Sequence, residues 1–455
     1  MALVWFLIAK VKFLYLPIEI TNRELDAKIL VALQAARNGF TVFLGSMEVL
    51  KLAEAVGSGV VLYKDSSAPM ARVFERLRER NVRVAVHDEE GFVHRDDDAY
   101  VSTRLRFDTI KFVDLFCAWG SRQARMVEGV AHEYSSGVKV VSTGHPRIDL
   151  LRFLGLDEGF SESVSVGGNS NYILINTKLA ECNHRQGVDG WLNILDAHSM
   201  IRSEDERCMR LRQIEYKRRL LENYKRLISR LSCEFPELKI VIRPHPAEDK
   251  SFWIEYSSAF SNVCVDWSGS IGEWISRARV VVHTGCTTGL EAAVAGRPVV
   301  AYKPIRDKEF EIDLPDSVSA FAGSDDDVVS FVRAGGAGGS VMVKQKLAEF
   351  VTGLDGGYAF ERIVDEFGQL SIDEGVVLDS KVRMARWALL ARDLARRMFR
   401  RGEKESIDPK FYISKNLLEQ RLSLFLPVGF GGKEVAKISR FSDRVYVFSP
   451  ISDSK

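Results

Sequence analysis

Residues 279–302, Arg-Val-Val-Val-His-Thr-Gly-Cys-Thr-Thr-Gly-Leu-Glu-Ala-Ala-Val-Ala-Gly-Arg-Pro-Val-Val-Ala-Tyr, leave this chain few folds to choose from. An apolar run of strand length stops at a glycine-containing turn, an Ala-rich helical stretch follows, and Gly-Arg-Pro returns the chain to a second apolar run. Strand, helix and strand in that order form a parallel βαβ unit, whose ligands collect at the carboxyl ends of the strands. Here that end carries Gly285, Thr287 and Thr288 ahead of the helix, with Glu291 one turn inside it. Unpaired N–H groups and the positive end of the helix dipole meet two hydroxyls there, so the segment predicts a phosphate seat. An earlier segment, Leu238–Pro246, is a second apolar strand that ends in Arg243, Pro244, His245 and Pro246, again suited to an anion. The pair suggests a nucleotide-sugar cleft, with the two prolines stiffening the loop that aims His245.

The same alternation runs through most of the 455 residues, which are too many for one typical domain. Apolar runs at 13–16, 41–44, 60–62, 83–86, 110–116 and 138–142 are separated by amphipathic stretches such as 24–38, 49–55 and 71–80. That pattern predicts an α/β first domain over residues 1–154 with a doubly wound parallel sheet. Residues 155–171 are rich in Gly and Ser and read as a linker. A second alternating set over 172–310 has strands at 172–176, 239–242 and 263–266, and helices at 208–235 and 271–278. Two Rossmann-like domains of this kind describe the two-domain GT-B plan, and composition and periodicity alone would equally allow a periplasmic-binding-protein plan. The remainder, 311–455, reads as a partly helical C-terminal extension that packs back on the first domain, with 322–340 a loop between helices.

A net charge of +1 argues against general nucleic-acid binding. Six cysteines show neither close pairing nor metal-ligand spacing, and free thiols are expected. The apolar run at residues 1–9 is too short to span a bilayer, so residues 3–16 read as a buried strand and the chain as cytoplasmic or peripheral to a membrane. Asp96–Asp98 and Asp325–Asp327 superficially suit a metal, but read as solvated loops; no metal or other cofactor is expected.

The first domain offers its own chemistry at Asp88, Glu89, Glu90 and Gly91, delivered to the end of the apolar run at 83–86. Adjacent carboxylates repel unless a cation or substrate relieves them, and one placed at a strand end can serve as general base or as nucleophile. A second His-Pro, His145-Pro146, reads as the structural end of that domain's last strand.

Glu89-Glu90-Gly91, His245-Pro246 and Thr287-Thr288, in that order, resemble the three motifs of bacterial CMP-sugar-dependent GT-B transferases, which include sialyltransferases and capsule-type Kdo transferases. Leu16–Asp26, Thr143–Leu150 and Leu174–Lys178 are similar to segments of the surface carbohydrate (surface polysaccharide) biosynthesis proteins. The resemblance spans residues 12 to 305. It implies a glycosyltransferase that moves a ulosonic acid from a CMP-activated donor to a surface glycan or lipid-linked acceptor. In that reading the first carboxylate of the acidic motif, Glu89, is the base, and His245, Thr287 and Thr288 hold the CMP phosphate. Asp88 precedes the motif here, so the working carboxylate stays open among Asp88, Glu89 and Glu90, as does the stereochemical course.

A ulosonic acid carries a carboxylate, for which Arg23, after Glu19, and Lys178, in the loop Asn176-Thr177-Lys178, are candidate contacts. Residues 381–404 form a basic helical pattern with a Trp387, Leu390, Leu394 and Met398 stripe, which fits either an anionic membrane surface or packing against the domains. The rival functions are a CDP-glycerol-type polymer synthase, a nucleotide-sugar epimerase on the same plan, and a binding protein that has lost catalysis.

Overall fold

The structure, a computed structural model, describes residues 11–89, 94, 97–156, 171–197, 200–336, 345–348, 350–371, 379–399 and 411–451. The chain divides into two compact units, one of residues 1–92, 97–153 and 348–455, the other of residues 93–96 and 154–347. Each holds one Rossmann-like sheet, so the α/β class with two doubly wound halves read from the sequence is the observed one.

In the first unit, β1 (Lys12–Ile18), β2 (Phe40–Ser46), β3 (Gly59–Tyr63), β4 (Val82–Val86), β5 (Leu115–Ala118) and β6 (Lys139–Ser142) pair in parallel in the order β2-β1-β3-β4-β5-β6. Leu14, Tyr15, Leu16, Val60 and Val61 are fully buried, as expected for parallel strands with helices on both faces. The helix Thr21–Arg37 places Leu25, Ile29, Leu30 and Leu33 in that core. The run expected as a strand over 110–116 is divided: Phe107–Ile110 is a helical turn and the strand begins at Leu115. Residues 3–10 of the expected first strand lie outside the described residues.

The C-terminal part adds helices Ala359–Gln369, Asp379–Phe399 and Lys415–Phe430, and also something the sequence reading lacked. Strands β13 (Ala436–Ser442) and β14 (Val445–Pro450) form an antiparallel hairpin that pairs with β2. A parallel edge strand is a template for aggregation, and the hairpin covers this one. The approach is close: a Cβ on Gly45 would stand 2.2 Å from the Arg444 carbonyl, which accepts the Ser46 N–H at 3.0 Å.

The second unit begins with β7 (Tyr172–Asn176) and adds β8 (Lys239–Arg243), β9 (Val263–Val265), β10 (Ala278–His283), β11 (Val299–Tyr302) and β12 (Ala320–Ala322), all parallel, in the order β12-β11-β10-β7-β8-β9. Its long helix, Glu204–Glu234, starts earlier than its apolar spacing suggests, because Ser203 caps it by accepting the Glu206 N–H. Leu220, Tyr224, Leu227, Ile228 and Leu231 line the buried face of that helix against the sheet. Truncating one of them to Ala is worth about 2–5 kcal/mol.

This unit continues past residue 310 to Leu347. The 322–340 stretch expected as a loop contains the helix Asp325–Arg333, opened by a capping box between Ser324 and Asp327. Its three aspartates follow a strand and sit in the helix's first turn, where the dipole favours them, so the solvated-loop reading is corrected. Likewise Asp97 and Asp98 open the helix Asp97–Arg104, and Asp97 accepts the Arg122 Nε–H at 3.0 Å; Asp96 lies outside the described residues. Residues 157–170 of the expected linker also lie outside them, and the helix Pro146–Leu156 occupies its start. All six cysteines are free. Among the described residues no helix is long and apolar enough to cross a membrane.

Candidate functional site

In the second unit the strand order reverses between β7 and β10, which is where an open α/β sheet leaves a crevice for ligands. The last residues of those strands, Asn176 and His283, are register neighbours. The Asn176 side-chain amide donates to Thr288 Oγ1 at 2.9 Å, at the start of the helix Thr287–Val294. Cys286 occupies that helix's N-cap and supplies no side-chain cap, and the turn read from the sequence as a phosphate seat stands at the end of β10, beside β7. Thr287 is half-buried at the helix start, and Glu291 is buried one turn later.

The glycines of this turn have separate reasons. Gly285 takes φ +89°, a conformation other residues resist, and the Lys303 ammonium lies 3.2 Å from where its Cβ would be. Gly289 permits close approach: a Cβ there would stand 2.4 Å from His283 Nε2. The His283 ring is fully buried, accepts the Gly285 N–H at Nδ1 (2.9 Å) and meets Ser319 Oγ at Nε2 (2.8 Å). Since Ser319 Oγ donates to the Pro315 carbonyl at 2.7 Å, the ring is the neutral Nε2–H tautomer. Burial, followed by Lys303 and Lys178, pushes its pKa down to about 3.

Three lysines raise the local potential. Lys303 is 3% exposed and paired with Asp316 at 2.7 Å, and buried Lys217 donates to the Lys178 carbonyl at 3.1 Å. Lys178 itself is held below the ordinary lysine range, first by burial and then by Lys217. An ammonium held low by burial and by a neighbouring cation gains from an anion beside it.

The His-Pro loop is tied to this seat through a residue the sequence reading missed. Glu248 is 1% exposed, and its Oε1 accepts the Thr177 hydroxyl (2.8 Å) and the backbone N–H groups of Leu179 (3.0 Å) and His245 (3.1 Å). Burial raises its pKa and these bonds oppose the shift. The loops also pair directly, His184 with Glu248 and the Arg185 N–H with the Ala247 carbonyl at 3.0 Å. His245 and Pro246 are exposed at the tip, and His245 Nδ1 accepts the Ala247 N–H at 3.2 Å. Arg243 is engaged by the carbonyls of Ser268 and Gly269, both at 2.8 Å.

The first unit has its own switch point, between β1 and β3. Across it Lys64 pairs with Glu19 at 2.9 Å, and the Glu89 N–H donates to the Lys64 carbonyl at 3.0 Å. Glu24, fully buried at the helix start, accepts the N–H groups of Glu19 (3.0 Å) and Ile20 (3.1 Å), and Arg23 lies 3.3 Å from it. Lys28, 2% exposed, sits 3.0 Å from Glu89 Oε1. Burial raises the Glu24 pKa, the Glu89 charge raises it further, and Lys28 opposes both.

Of the acidic triplet, Asp88 is committed elsewhere: Arg104 grips both its oxygens, and Tyr100 donates to it at 2.9 Å. Glu90 lies outside the described residues. Glu89 is thus the described carboxylate of the motif that faces the switch-point cluster. His145, read as structural, stands beside it: its ring hydrogen-bonds the Glu89 backbone and meets the His87 ring edge-on at 4.5 Å. Burial keeps both imidazoles neutral, His87 down to about 4 and His145 well below the usual range. His87 and His145 each adjoin a motif that was visible in the sequence, whereas Lys28 and Glu24 are helix positions with no signal apart from their place after Leu16-Pro-Ile-Glu.

No protein-family model and no curated protein matches the chain. Among solved structures it is similar to the UDP-GlcNAc 2-epimerase of Methanocaldococcus jannaschii in complex with UDP-GlcNAc and UDP, at 12% identity and a TM-score of 0.45, over 79% of this chain and 99% of that one. It is also similar to the Neisseria meningitidis UDP-GlcNAc 2-epimerase bound to UDP-GlcNAc (13%, TM-score 0.44, 79% and 100%). A third is the wall teichoic acid polymerase TagF (10%, TM-score 0.48, 80% and 90%). Likeness at this level transfers no substrate and no mechanism.

Proposed function

We propose that this chain is a nucleotide-sugar-dependent glycosyltransferase of surface glycan synthesis. The observation that carries the reading is the second unit's switch point, where the Asn176 amide donates to Thr288 at the start of the Thr287–Val294 helix. His245 and Lys178, held by the Glu248 loop clamp, are the groups proposed to stabilise a departing phosphate; the acidic motif separately proposes Glu89 as the general base. The acceptor oxygen bonds to the anomeric carbon as the carbon–oxygen bond to phosphate breaks, and the nucleotide leaves with the bonding pair. The ordered motifs favour a CMP-activated ulosonic acid as donor, with Arg23 or, as the alternative, Lys178 the cation proposed for its carboxylate.

A thermal-shift screen over CMP, CDP, UDP and GDP tests this. A nucleotide at a hundredfold its dissociation constant stabilises by about 2.7 kcal/mol, and Thr288→Ala should cancel the shift. Preference for CMP, with release of CMP from a CMP-sugar only when acceptor is present, supports the reading. Preference for UDP with isomerisation of UDP-HexNAc without acceptor replaces it by the epimerase, and phosphodiester product from CDP-glycerol replaces it by the glycerophosphate transferase.

A further inference from the structure

The helix Asp379–Phe399 is apolar on two opposite faces, and one of them lies outside the core of its unit. Ala385, Leu389 and Asp393 point inward, at 8%, 6% and 5% exposure. Met384 (64%), Trp387 (73%), Leu394 (57%) and Met398 (58%) recur at helical spacing on the other side, with Leu390 (37%) at their border. At about 100° per residue, Arg383 flanks this stripe on one side and Lys381 on the other, while Arg386 and Arg392 lie nearer the inward face, where Arg386 donates to the Phe441 carbonyl at 3.3 Å. All four are exposed. The single acid of residues 380–401, Asp393, faces inward, where it accepts the Asp443 N–H at 2.9 Å and pairs with Arg396 at 3.2 Å. Arg396 and Arg392 also hold Glu48, which fixes the helix on its unit with the stripe outward.

We propose that this face docks the protein on a lipid bilayer surface bearing anionic headgroups, with the helix lying in the interfacial plane. An exposed tryptophan among Met and Leu is suited to the headgroup boundary, and long basic side chains on both edges can keep their charge at phosphate level while the stripe enters the acyl region. Charge decides the occupant. Two copies of this face would set arginine against arginine, whereas a surface of fixed negative charge complements both edges at once. This inference stands apart from the proposed function: it uses no residue of either switch point.

The test is co-sedimentation of the full chain with phosphatidylcholine vesicles and with vesicles containing phosphatidylglycerol, at low and high salt. The expected result is binding to the anionic vesicles only, weakened by salt. Trp387→Glu with Leu394→Glu should abolish it without lowering the melting temperature, since both side chains are exposed. Lys381→Ala with Arg383→Ala should weaken it more than tenfold, at about fivefold per basic residue. Failure to bind anionic vesicles, equal binding to neutral ones, or a dimer in solution that Trp387→Glu with Leu394→Glu dissociates would each overturn the proposal.

Discussion

The Glu248 carboxylate reaches in two directions, accepting the His245 N–H at 3.1 Å with one oxygen and the Trp253 indole N–H at 2.9 Å with the other. One buried anion thereby fixes the loop after β8 to the loop after β7, through Thr177 and Leu179, and to the unit's core, through Trp253. Glu248→Ala strands four donors, so a loss of about 3–5 kcal/mol is expected in denaturant unfolding of this unit. Glu248→Gln keeps the volume but turns an amide N–H toward a donor, at a cost of about 2 kcal/mol. If Gln proves neutral in stability and in nucleotide affinity, the clamp is not what holds the loop.

His245 lies exposed at the tip of that loop, so its removal separates chemistry from folding. His245→Ala should lower turnover by about a hundredfold or more, the usual worth of a preorganised donor at a developing charge, with stability changed by no more than about 0.5 kcal/mol. Steady-state rates with the preferred donor, beside a melting curve, check both halves. Full turnover in this variant would remove His245 from the mechanism.

Three buried imidazoles, His87, His145 and His283, set an acid dependence of stability. The folded pKa values of His283 (about 3) and His87 (about 4) lie below the 6.5 of an unfolded chain, so the folded state binds fewer protons between those limits. Their contribution is therefore present above pH 6.5 and is lost as pH falls toward 4 and 3, with a slope of about 1.4 kcal/mol per pH unit for each ring. Protonating His283 also turns Nδ1 into a donor against the Gly285 N–H, which would disorganise the glycine turn. His283→Asn, which can keep an acceptor near that position, should flatten the dependence by one such slope in urea titrations at pH 6.5, 5.5 and 4.5. An unchanged slope would mean that the ring is already solvated.

The two sheets were legible because parallel strands buried on both faces leave continuous apolar runs, and the glycine turn after β10 was legible because Gly285 and Gly289 answer steric requirements that few other residues meet. The β13–β14 hairpin escaped notice because its outer strand is half-exposed, with Lys437, Ser439 and Arg440 diluting the apolar alternation. The helix over Asp325–Arg333 was obscured by an acidic run that belongs to its cap. Lys28, Glu24 and Glu248 were invisible for a different reason. A buried charge in a helix or loop carries the same letter as a solvated one, and only the fold reveals that Lys28 comes within 3.0 Å of Glu89 from residues far away in the chain.

Lys28 is 2% exposed and lies near two buried carboxylates, Glu89 at 3.0 Å and Glu24, whose pKa is already raised by burial and by Glu89. Lys28→Met removes the cation and leaves the two acids to repel in a dry site, for an expected loss of about 3–5 kcal/mol. Glu89→Gln instead leaves Lys28 with Glu24 and relieves the repulsion, so the fold should survive. If Glu89 is the base, that same variant should lose about 10²- to 10⁴-fold in turnover with nucleotide affinity unchanged. The comparison of turnover, nucleotide melting shift and unfolding free energy in the two variants distinguishes a catalytic carboxylate from a structural one. A Glu89→Gln protein that is unstable yet fully active per folded molecule would assign Glu89 to the scaffold and reopen the search for the base.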